Sequence, residues 1–319
     1  MAKHHELKPT FKTSHSGIFD AAIPPVLEIE SGDRVTLHSL SGGADILPTG
    51  KEFQILPDHL EFLREYSERN LKVPGHIMTG PIAVKGARPG DTLEVRIRDV
   101  RLRQNWGYNT IRPLGGGLPE DFPVHYRTHI LFDMDRKLGK LPWGVDLPLS
   151  PFFGVMGVAP PPLWGAISSG PPREHGGNID NKELVVGTTL FLPVFVDGGN
   201  FSAGDGHACQ GDGEVNSSAL ETALTGTFEI ALRKDLKLTM PRAETPTHYV
   251  TMGMDVDLDD AAKQALREMI VFICEKTNLS REDAYTLCSL AADLRVTQIV
   301  DGNKGIHVML AKTALHGEA

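Results

Sequence analysis

The fold prediction starts from residues 89–98, whose sequence is PGDTLEVRIR. A Gly-Asp turn is followed by Leu93, Val95 and Ile97, with charged residues at the positions between them. Successive side chains of a strand point to opposite faces of a sheet, so this period of two predicts a strand with one buried and one solvated face. The stretch therefore indicates a protein built from sheets.

Other stretches repeat this pattern on both sides of it. A turn at residues 31–33 separates alternating residues at 27–30 and 35–37, which predicts a β-hairpin. Residues 184–196 are nearly all apolar and are predicted to form a strand buried on both faces. Further strands are predicted within residues 214–234 and at residues 305–310.

After Pro241 the pattern changes to that of helices. Residues 259–276 carry apolar side chains at the spacing of an amphipathic helix. Ser280, with Asp283 three residues later, is typical of an N-cap, and the helix that it opens is predicted to run through Leu294. The fold class predicted is a β-rich α+β protein, with a sandwich-like or barrel-like body and a helical hairpin near the C-terminus.

The chain has 319 residues and a hydrophobic fraction of 40%, enough for a sizeable core. Changes in sequence pattern along the chain predict three closely packed segments: an N-terminal β-rich domain at 1–135, a central β and loop region carrying the site at 136–241, and a C-terminal α+β segment at 242–319. The central region is rich in glycine and proline, and long irregular loops inside a compact domain are usually functional.

Composition argues against several classes of partner. The net charge is −9, from 32 Lys and Arg against 41 Asp and Glu, so the chain lacks the basic surface that nucleic acid requires. No window approaches 18 apolar residues, which predicts no membrane-spanning helix. Three cysteines, an odd and sparse number, argue against a disulfide framework and predict a cytoplasmic protein.

The densest group of polar residues lies at 204–214, with the sequence GDGHACQGDGE. Asp205 and His207 are two residues apart, so in an extended backbone they point the same way and could share one metal ion. Nitrogen and oxygen ligands suit a hard or borderline divalent cation. Asp180, in a glycine-pinned turn, is the candidate third ligand. The alternative is a polar turn whose carboxylates cap nearby backbone amides.

Other candidates are less specific. His76 lies on a backbone constrained by proline and glycine, and it is either a structural histidine bonded to a carbonyl or a catalytic group. Asn178 and Gln210, in the two glycine-rich clusters, and His248, after Pro246, are candidate substrate-binding residues.

Several stretches, taken together, resemble the acetamidase/formamidase family. The matching stretches are His76–Ile82, Gly86–Val95, Gly154–Pro160, Gly176–Asp180, Gly204–His207, Gln210–Val215 and Ala291–Gln298. The resemblance implies a β-rich cytoplasmic homo-oligomer that hydrolyses short-chain linear amides to a carboxylate and ammonia. It also implies a divalent metal, zinc in the first place, at a site drawing on His76, Asp180, Asp205, His207 and Glu214. Calcium is the other candidate metal for this acidic pocket.

The sequence departs from the family pattern at three places. Cys209 stands where the pattern has alanine, Asn216-Ser217-Ser218 where it has Cys-Gly-Thr, and Ile179 where it usually has methionine. If these positions line the pocket, we expect a different amide preference or loss of activity.

The mechanism that these residues suggest is metal-assisted hydrolysis. A cation held by Asp180, Asp205 and His207 would lower the pKa of its bound water. Glu214 would take a proton from that water and return it to the departing nitrogen. His76 or main-chain amides would stabilise the oxyanion.

Two rivals stay open. One is an acyl-enzyme amidase with Cys209 or Ser218 as the nucleophile. The other is a non-catalytic protein that binds a metal or another cation in its acidic pocket.

Overall fold

Strands dominate the structure, a computed structural model that describes residues 2–71, 73 and 75–315. Over these residues the strands are β1 (His4–Leu7), β2 (Ser14–Ser16), β3 (Ile18–Phe19), β4 (Leu27–Ile29), β5 (Asp33–His38), β6 (Ile77–Val84), β7 (Thr92–Leu102), β8 (Trp106–Ile111), β9 (Tyr126–Asp133), β10 (Leu138–Lys140), β11 (Asp146–Pro148), β12 (Phe152–Gly157), β13 (Ile167–Ser168), β14 (Gly176–Asn178), β15 (Thr189–Pro193), β16 (Phe201–His207), β17 (Glu221–Thr222), β18 (Leu224–Arg233), β19 (Arg242–Glu244), β20 (His248–Asp255), β21 (Ala292–Gln298) and β22 (Lys304–Ala311). The helices are α1 (Pro57–Glu68), α2 (Leu258–Lys276) and α3 (Arg281–Ala291), with short 3-10 helices at Ala44–Ile46, Pro162–Trp164 and Lys312–Ala314.

The described strands form two large open sheets and one small one. The first has nine strands in the order β1-β5-β18-β7-β15-β19-β20-β22-β21. The second has eleven strands, with the path β11-β10-β9-β8-β17-β16-β12-β14, and β6 joins it at β16 and carries β2 and β4. Strands β3 and β13 pair separately. Because both large sheets are open, the body is a sandwich rather than a closed barrel.

The main hydrophobic core lies between the two large sheets. Leu37, Val95 and Phe228 of the nine-stranded sheet and Ile82 and Phe153 of the eleven-stranded sheet belong to one buried cluster. The rings of Phe153 and Phe228 meet edge to face across the interface, with centroids 5.3 Å apart. This packing confirms the predicted β-rich α+β class and its sandwich-like body.

The helical pair near the C-terminus covers one end of the nine-stranded sheet. Helix α2 packs on β20 and β22, and the approach is closest at Gly253, where a Cβ atom would collide with the backbone of Ala261 and lie 2.6 Å from the nitrogen of Ala265. Helix α3 begins after Ser280, whose hydroxyl accepts a hydrogen bond from the backbone of Asp283 at 3.0 Å. The predicted N-cap is therefore confirmed.

Three sequence-based predictions about single elements need correction. The predicted hairpin at 27–37 is wrong, because β4 pairs with β6 and β5 pairs with β1 and β18, in different sheets. The chain turns at Gly32, with φ of +90°, and passes from one sheet to the other, so both strands bury apolar residues in the same core without pairing with each other.

The other two corrections concern lengths. The run at 184–196 contains only the five-residue strand β15, in which Thr189 and Phe191 are half-buried, because a turn at Gly187 precedes it. Helix α3 ends at Ala291, and Leu294 belongs to β21, which pairs with β22. A short run of apolar residues fits a helix or a strand equally well. Here residues 292–298 pair with β22 at the edge of the nine-stranded sheet, and so they form a strand.

The three predicted segments all contribute to the nine-stranded sheet, with β7, β18 and β20 coming from one each. The predicted domain division stays a prediction.

None of the helices in the described part of the chain combines the length and the hydrophobicity that a bilayer crossing requires.

Candidate active site

Strand β16 places two of the candidate residues. It runs through the eleven-stranded sheet, paired with β12, β17 and β6. Asp205 and His207 extend to the same side of it, and His207 Nε2 lies 3.1 Å from Asp205 Oδ2. The ring of Phe152 on β12 packs edge-on against His207, with centroids 5.1 Å apart, so the imidazole is fixed in orientation.

Asp180 joins these two side chains from the turn after β14. Its backbone N–H donates to the carbonyl of Gly154 on β12 at 3.1 Å, and its Oδ1 lies 3.7 Å from His207 Nδ1. One ligand atom from each of Asp180, Asp205 and His207 lies within 4.8 Å of the other two. The structure thus brings together the three residues proposed as metal ligands.

Three further carboxylates extend this cluster. Besides the first group, the groups that could hold a metal are His207 with Glu214 and Glu221, and Asp180 with Glu214 and Asp301. Glu214 lies in the loop after β16, Glu221 begins β17, and Asp301 lies in the turn between β21 and β22. We define these six residues, Asp180, Asp205, His207, Glu214, Glu221 and Asp301, as the acidic cluster.

The sequence analysis missed Glu221 and Asp301. Glu221 carried a usable signal, because it is the one charged residue within the apolar stretch 219–224, and a buried carboxylate needs a partner. Its Oε2 lies 3.4 Å from His207 Nε2. Asp301 carried no such signal, because Asp301-Gly302-Asn303 has the composition of an ordinary hairpin turn.

Several carboxylate oxygens of the acidic cluster are buried without a partner. Asp180 Oδ1, Glu214 Oε2 and Asp301 Oδ2 accept no hydrogen bond from the described residues, although Asp180 is only 1% and Glu214 7% exposed. Buried polar atoms are nearly always satisfied, and leaving a buried charge unpaired is costly. The donor set therefore fits a divalent cation, which would satisfy several of these oxygens at once.

Burial and the close approach of charged groups also shift the pKa values of the cluster residues. Burial raises the pKa of Asp180 and that of Glu214 well above their ordinary values, and the charge of neighbouring carboxylates raises them further. Burial also opposes ionisation of Asp205 and His207. The charges of His76 and His207 nevertheless lower the pKa of Asp205, and the charges of Glu221 and Asp205 raise the pKa of His207. A bound cation would favour the ionised carboxylates and release their protons.

The backbone is strained at three positions of the cluster. Asp180, Asp205 and Glu214 have φ values of +51°, +54° and +42°, in the left-handed region that costs a side-chain-bearing residue roughly 1–3 kcal/mol. Such conformations persist where the surrounding fold imposes them, and they concentrate at functional sites. All three strained residues are members of the acidic cluster.

A glycine makes room for this convergence. A Cβ atom at Gly154 would collide with Asp180 Oδ1 and would lie 2.6 Å from His207 Cε1 and 2.9 Å from Asp205 Oδ2. Any side chain on β12 at this position would therefore occupy the space between the three proposed ligands.

Gln210, whose role in substrate binding stays a prediction, contacts two members of the cluster. Its Nε2 donates to the carbonyl of Asp180 at 2.7 Å, and its Oε1 lies 3.0 Å from His207 Nδ1. With Nδ1–H donating to this oxygen, His207 presents Nε2 toward Asp205 and Glu221.

Gln298 also holds backbone next to the cluster through its side-chain amide. Its Oε1 accepts hydrogen bonds from the backbone of Val300 and Asp301 at 2.8 and 3.1 Å, and its Nε2 donates to the carbonyl of Asn303 at 2.6 Å. The backbone of the preceding residue, Thr297, accepts from Gly213, next to Glu214. The end of β21 therefore positions both Asp301 and Glu214.

The remaining predicted site residues divide into two groups. His76 and Asn178 line the cavity beside the cluster. The Nδ1 of His76 is 3.0 Å from the hydroxyl of Ser169, and its Nε2 is 3.8 Å from Asp205 Oδ2; Asn178 Oδ1 is buried and unpartnered among the described residues. His248 begins β20, contacts Thr247 at 2.8 Å and does not line the cavity. The role of His248 in substrate binding stays a prediction.

The five carboxylate residues of the acidic cluster line a cavity of about 890 Å³. Ser217 and Ser218, two of the three positions in the second departure from the family pattern, line it. Asn216 pairs with Asn109, its Nδ2 donating to Asn109 Oδ1 at 2.6 Å. Burial raises the pKa of the Cys209 thiol to about 11.

Fold and site together define a class: a two-sheet α+β protein with a buried acidic and histidine cluster that could hold a metal ion. The acetamidase/formamidase family pattern matches residues 13–163 and 165–311. The chain therefore belongs to the acetamidase/formamidase family, and the resemblance found in the sequence is confirmed.

Individual relatives carry names from this family. A formamidase of Methylophilus methylotrophus is 30% identical over 255 residues, 59% of this chain and 61% of that protein. An acetamidase of Mycolicibacterium smegmatis is 32% identical over 236 residues, 56% of each chain. The match thus spans less than two thirds of the length of either curated relative.

A solved structure matches over nearly the whole chain. The crystal structure of an acetamidase from Bacillus halodurans superimposes with a TM-score of 0.83 at 33% sequence identity, covering 96% of this chain and 97% of that one. The sandwich and its helical pair are therefore the fold of a solved relative.

Proposed function

We propose that this chain hydrolyses short-chain linear amides, of the formamide and acetamide type, to a carboxylate and ammonia with the help of a divalent cation. The observation that carries the proposal is the acidic cluster, with its unpartnered buried oxygens facing a cavity. The names of the relatives support the substrate class.

Asp180, Asp205 and His207 would hold the cation. A mixed set of one imidazole and two carboxylates suits zinc, whereas the all-oxygen set of Asp180, Glu214 and Asp301 would suit calcium. When bound, a divalent cation supplies Lewis-acid polarisation of the carbonyl and acidifies water.

Glu214 is the proposed proton carrier. Burial and the neighbouring charge of Asp180 raise its pKa, so its carboxylate takes up a proton more readily than an exposed glutamate does. A carboxyl group of this kind can accept a proton from attacking water and deliver it to the leaving nitrogen, which cannot depart as an anion.

His76 is proposed to stabilise the oxyanion. It lies at the mouth of the cluster with Nε2 turned toward Asp205, and Ser169 fixes the other ring nitrogen. A donor placed at a developing oxyanion lowers the barrier by roughly 3 kcal/mol.

The acyl-enzyme rival is disfavoured at both proposed nucleophiles. A thiol whose pKa is about 11 is almost wholly protonated at neutral pH. The Ser218 hydroxyl lies 3.3 Å from Glu221 Oε1 and from the carbonyl of Ala219. No imidazole contacts it among the described residues, so a histidine base of the serine-hydrolase type is missing.

Replacing Cys209 tests this rival directly. We expect Cys209→Ser to keep kcat for acetamide within a few-fold of the unmodified protein, because the thiol touches no reacting group in the proposed mechanism. Steady-state ammonia release measures this. A loss of more than a hundredfold, together with substrate protection of the native thiol from iodoacetamide, would favour the acyl-enzyme.

The function itself is tested by metal analysis beside an amide panel. We expect ammonia from formamide, acetamide or propionamide, loss of turnover on exhaustive chelation and recovery when zinc is returned. Turnover that survives complete metal removal contradicts the role of the cation. Absence of ammonia from every amide at every concentration favours the binding-protein rival instead.

We also propose that the chain works as a homo-oligomer in the cytoplasm. Large apolar side chains such as Leu114, Phe122 and Trp143 are exposed on the monomer, and exposed apolar surface often marks an interface. Sedimentation velocity would contradict the oligomer if it shows only monomer at micromolar concentration.

A further inference from the structure

Ser217 lies on the wall of the cavity with a strained backbone. It follows Glu214 in the loop between β16 and β17, and it lines the same cavity as the carboxylates of the acidic cluster. Its φ is +64°, in the left-handed region that side-chain-bearing residues rarely adopt. Because such strain persists where the fold imposes it and concentrates at functional sites, the position indicates a role for the Ser217 side chain in the cavity.

The loop holds Ser217 between two residues of the acidic cluster. The backbone N–H of Ser217 donates to the carbonyl of Glu214 at 2.9 Å. On the other side, the Ser218 hydroxyl lies 3.3 Å from Glu221 Oε1, and the backbone N–H of Ala219 donates to the same oxygen at 2.9 Å. Ser217 is therefore tied on both sides to residues that the proposed site contains.

The Ser217 hydroxyl is available to a ligand. The side chain is half-buried, and its hydroxyl bonds to no other residue in the described part of the chain. The hydroxyl of the neighbouring Ser218, by contrast, is buried and lies 3.3 Å both from Glu221 Oε1 and from the carbonyl of Ala219. A serine hydroxyl can donate one hydrogen bond and accept others, so Ser217 can bind a polar group of the substrate.

The proposed reaction indicates which polar group this is. The carbonyl oxygen of the amide is polarised by the cation and stabilised by His76, whereas the nitrogen receives a proton from Glu214. A primary amide nitrogen also carries two N–H donors, which need acceptors when the substrate leaves water. Ser217 follows Glu214 by three residues on one hydrogen-bonded turn, so its oxygen is an acceptor on the side of the cavity where the nitrogen must lie.

We propose that the Ser217 hydroxyl accepts a hydrogen bond from the amide nitrogen of the substrate, and that this contact selects primary amides. The inference rests on the proposed amide hydrolysis and narrows its substrate class to amides with an unsubstituted nitrogen. One hydrogen bond of this kind changes affinity by about threefold to tenfold. Because Ser217 binds substrate and takes no proton, its loss should raise KM and leave kcat nearly unchanged.

Two substitutions separate the hydroxyl from the backbone. Ser217→Ala removes the oxygen and keeps a strained φ, whereas Ser217→Gly removes the oxygen and relieves the strain. We expect both variants to raise KM for acetamide about fivefold with kcat within a factor of two, and Ser217→Gly to melt at the same temperature as the unmodified protein or higher. Steady-state ammonia release by the metal-loaded protein and circular dichroism measure these effects.

Lys137→Gly is the matched control for the backbone. Lys137 also has a left-handed φ, of +54°, but it is exposed between β9 and β10 and lies outside the cavity lining, so KM should not change in this variant. If KM rises in Ser217→Gly but not in Ser217→Ala, the backbone and not the hydroxyl is responsible, and the inference is wrong. A loss of kcat above a hundredfold in both Ser217 variants would place the hydroxyl in the chemical step and contradict a binding role.

A panel of amides tests which part of the substrate the hydroxyl binds. Formamide, acetamide and propionamide share the –CONH2 group, so Ser217→Ala should raise KM by the same factor for all three. N,N-dimethylacetamide has no N–H group, so its inhibition constant against acetamide should not differ between the unmodified protein and Ser217→Ala. A KM increase that grows with the acyl chain, or an equal weakening of N,N-dimethylacetamide, overturns the inference while amide hydrolysis stands. If the unmodified protein releases ammonia from none of the three primary amides, the proposed function itself fails.

Discussion

Glu214→Gln is expected to lower kcat for amide hydrolysis by about 10²- to 10⁴-fold, the range of general acid–base catalysis. Glutamine keeps the size of the side chain but cannot accept a proton from water or return one to the leaving nitrogen. The carboxylate is 7% exposed, so bulk water does not readily take over its role. Ammonia release under saturating substrate measures the loss.

Two further measurements make this prediction specific. Asp212→Asn is the matched control on the same loop, because Asp212 pairs with Lys182 at 2.9 Å outside the acidic cluster, and its kcat should be close to normal. Bound metal should stay stoichiometric in Glu214→Gln. If metal content falls in parallel with kcat, Glu214 is a ligand, and if kcat stays within tenfold, it is not the proton carrier.

Gly154→Ala is expected to remove most of the bound metal and to lower kcat/KM by more than a hundredfold. The new methyl group would occupy the space between Asp180, Asp205 and His207. Overpacking costs typically about 1–3 kcal/mol, and here the side chains that must move are the proposed ligands. Metal content and amide turnover of the purified variant measure the two effects.

A second glycine provides the comparison. Gly211→Ala places its Cβ in open space, with no atom within 4 Å, so its metal content and turnover should match those of the unmodified protein. The melting temperature of both variants, followed by circular dichroism, separates loss of the site from loss of the fold. Normal metal binding in a folded Gly154→Ala variant would contradict the placement of the cation between these three residues.

Parts of the fold were predictable because their causes are local. Strand β7 and helix α2 follow from the periodicity of their own apolar residues, and the cap at Ser280 follows from a hydroxyl three residues before a backbone N–H. The hairpin at 27–37 failed because a turn fixes a change in direction but not the partner of each strand. Long-range pairing of β4 with β6 decided that.

The candidate site divides in the same way. Asp205 and His207 were predictable as neighbours because one residue separates them in the chain, although Asp205 has a φ of +54° and the backbone is not extended there. Asp180 was a candidate third ligand because it lies in a glycine-pinned turn, but no local pattern places it beside Asp205, which is 25 positions further along the chain. Gln210 was assigned to substrate, and its hydrogen bonds to Asp180 and His207 emerge only when β14 and β16 lie near each other.

The sequence by itself determined the β-rich class, the helical pair, the family and the local grouping of residues 204–214, because periodicity and short motifs act over a few residues. Only the tertiary structure decided which strands pair and that Glu221 and Asp301 join the acidic cluster. These are contacts between distant segments, and their free energy depends on which surfaces packing removes from water.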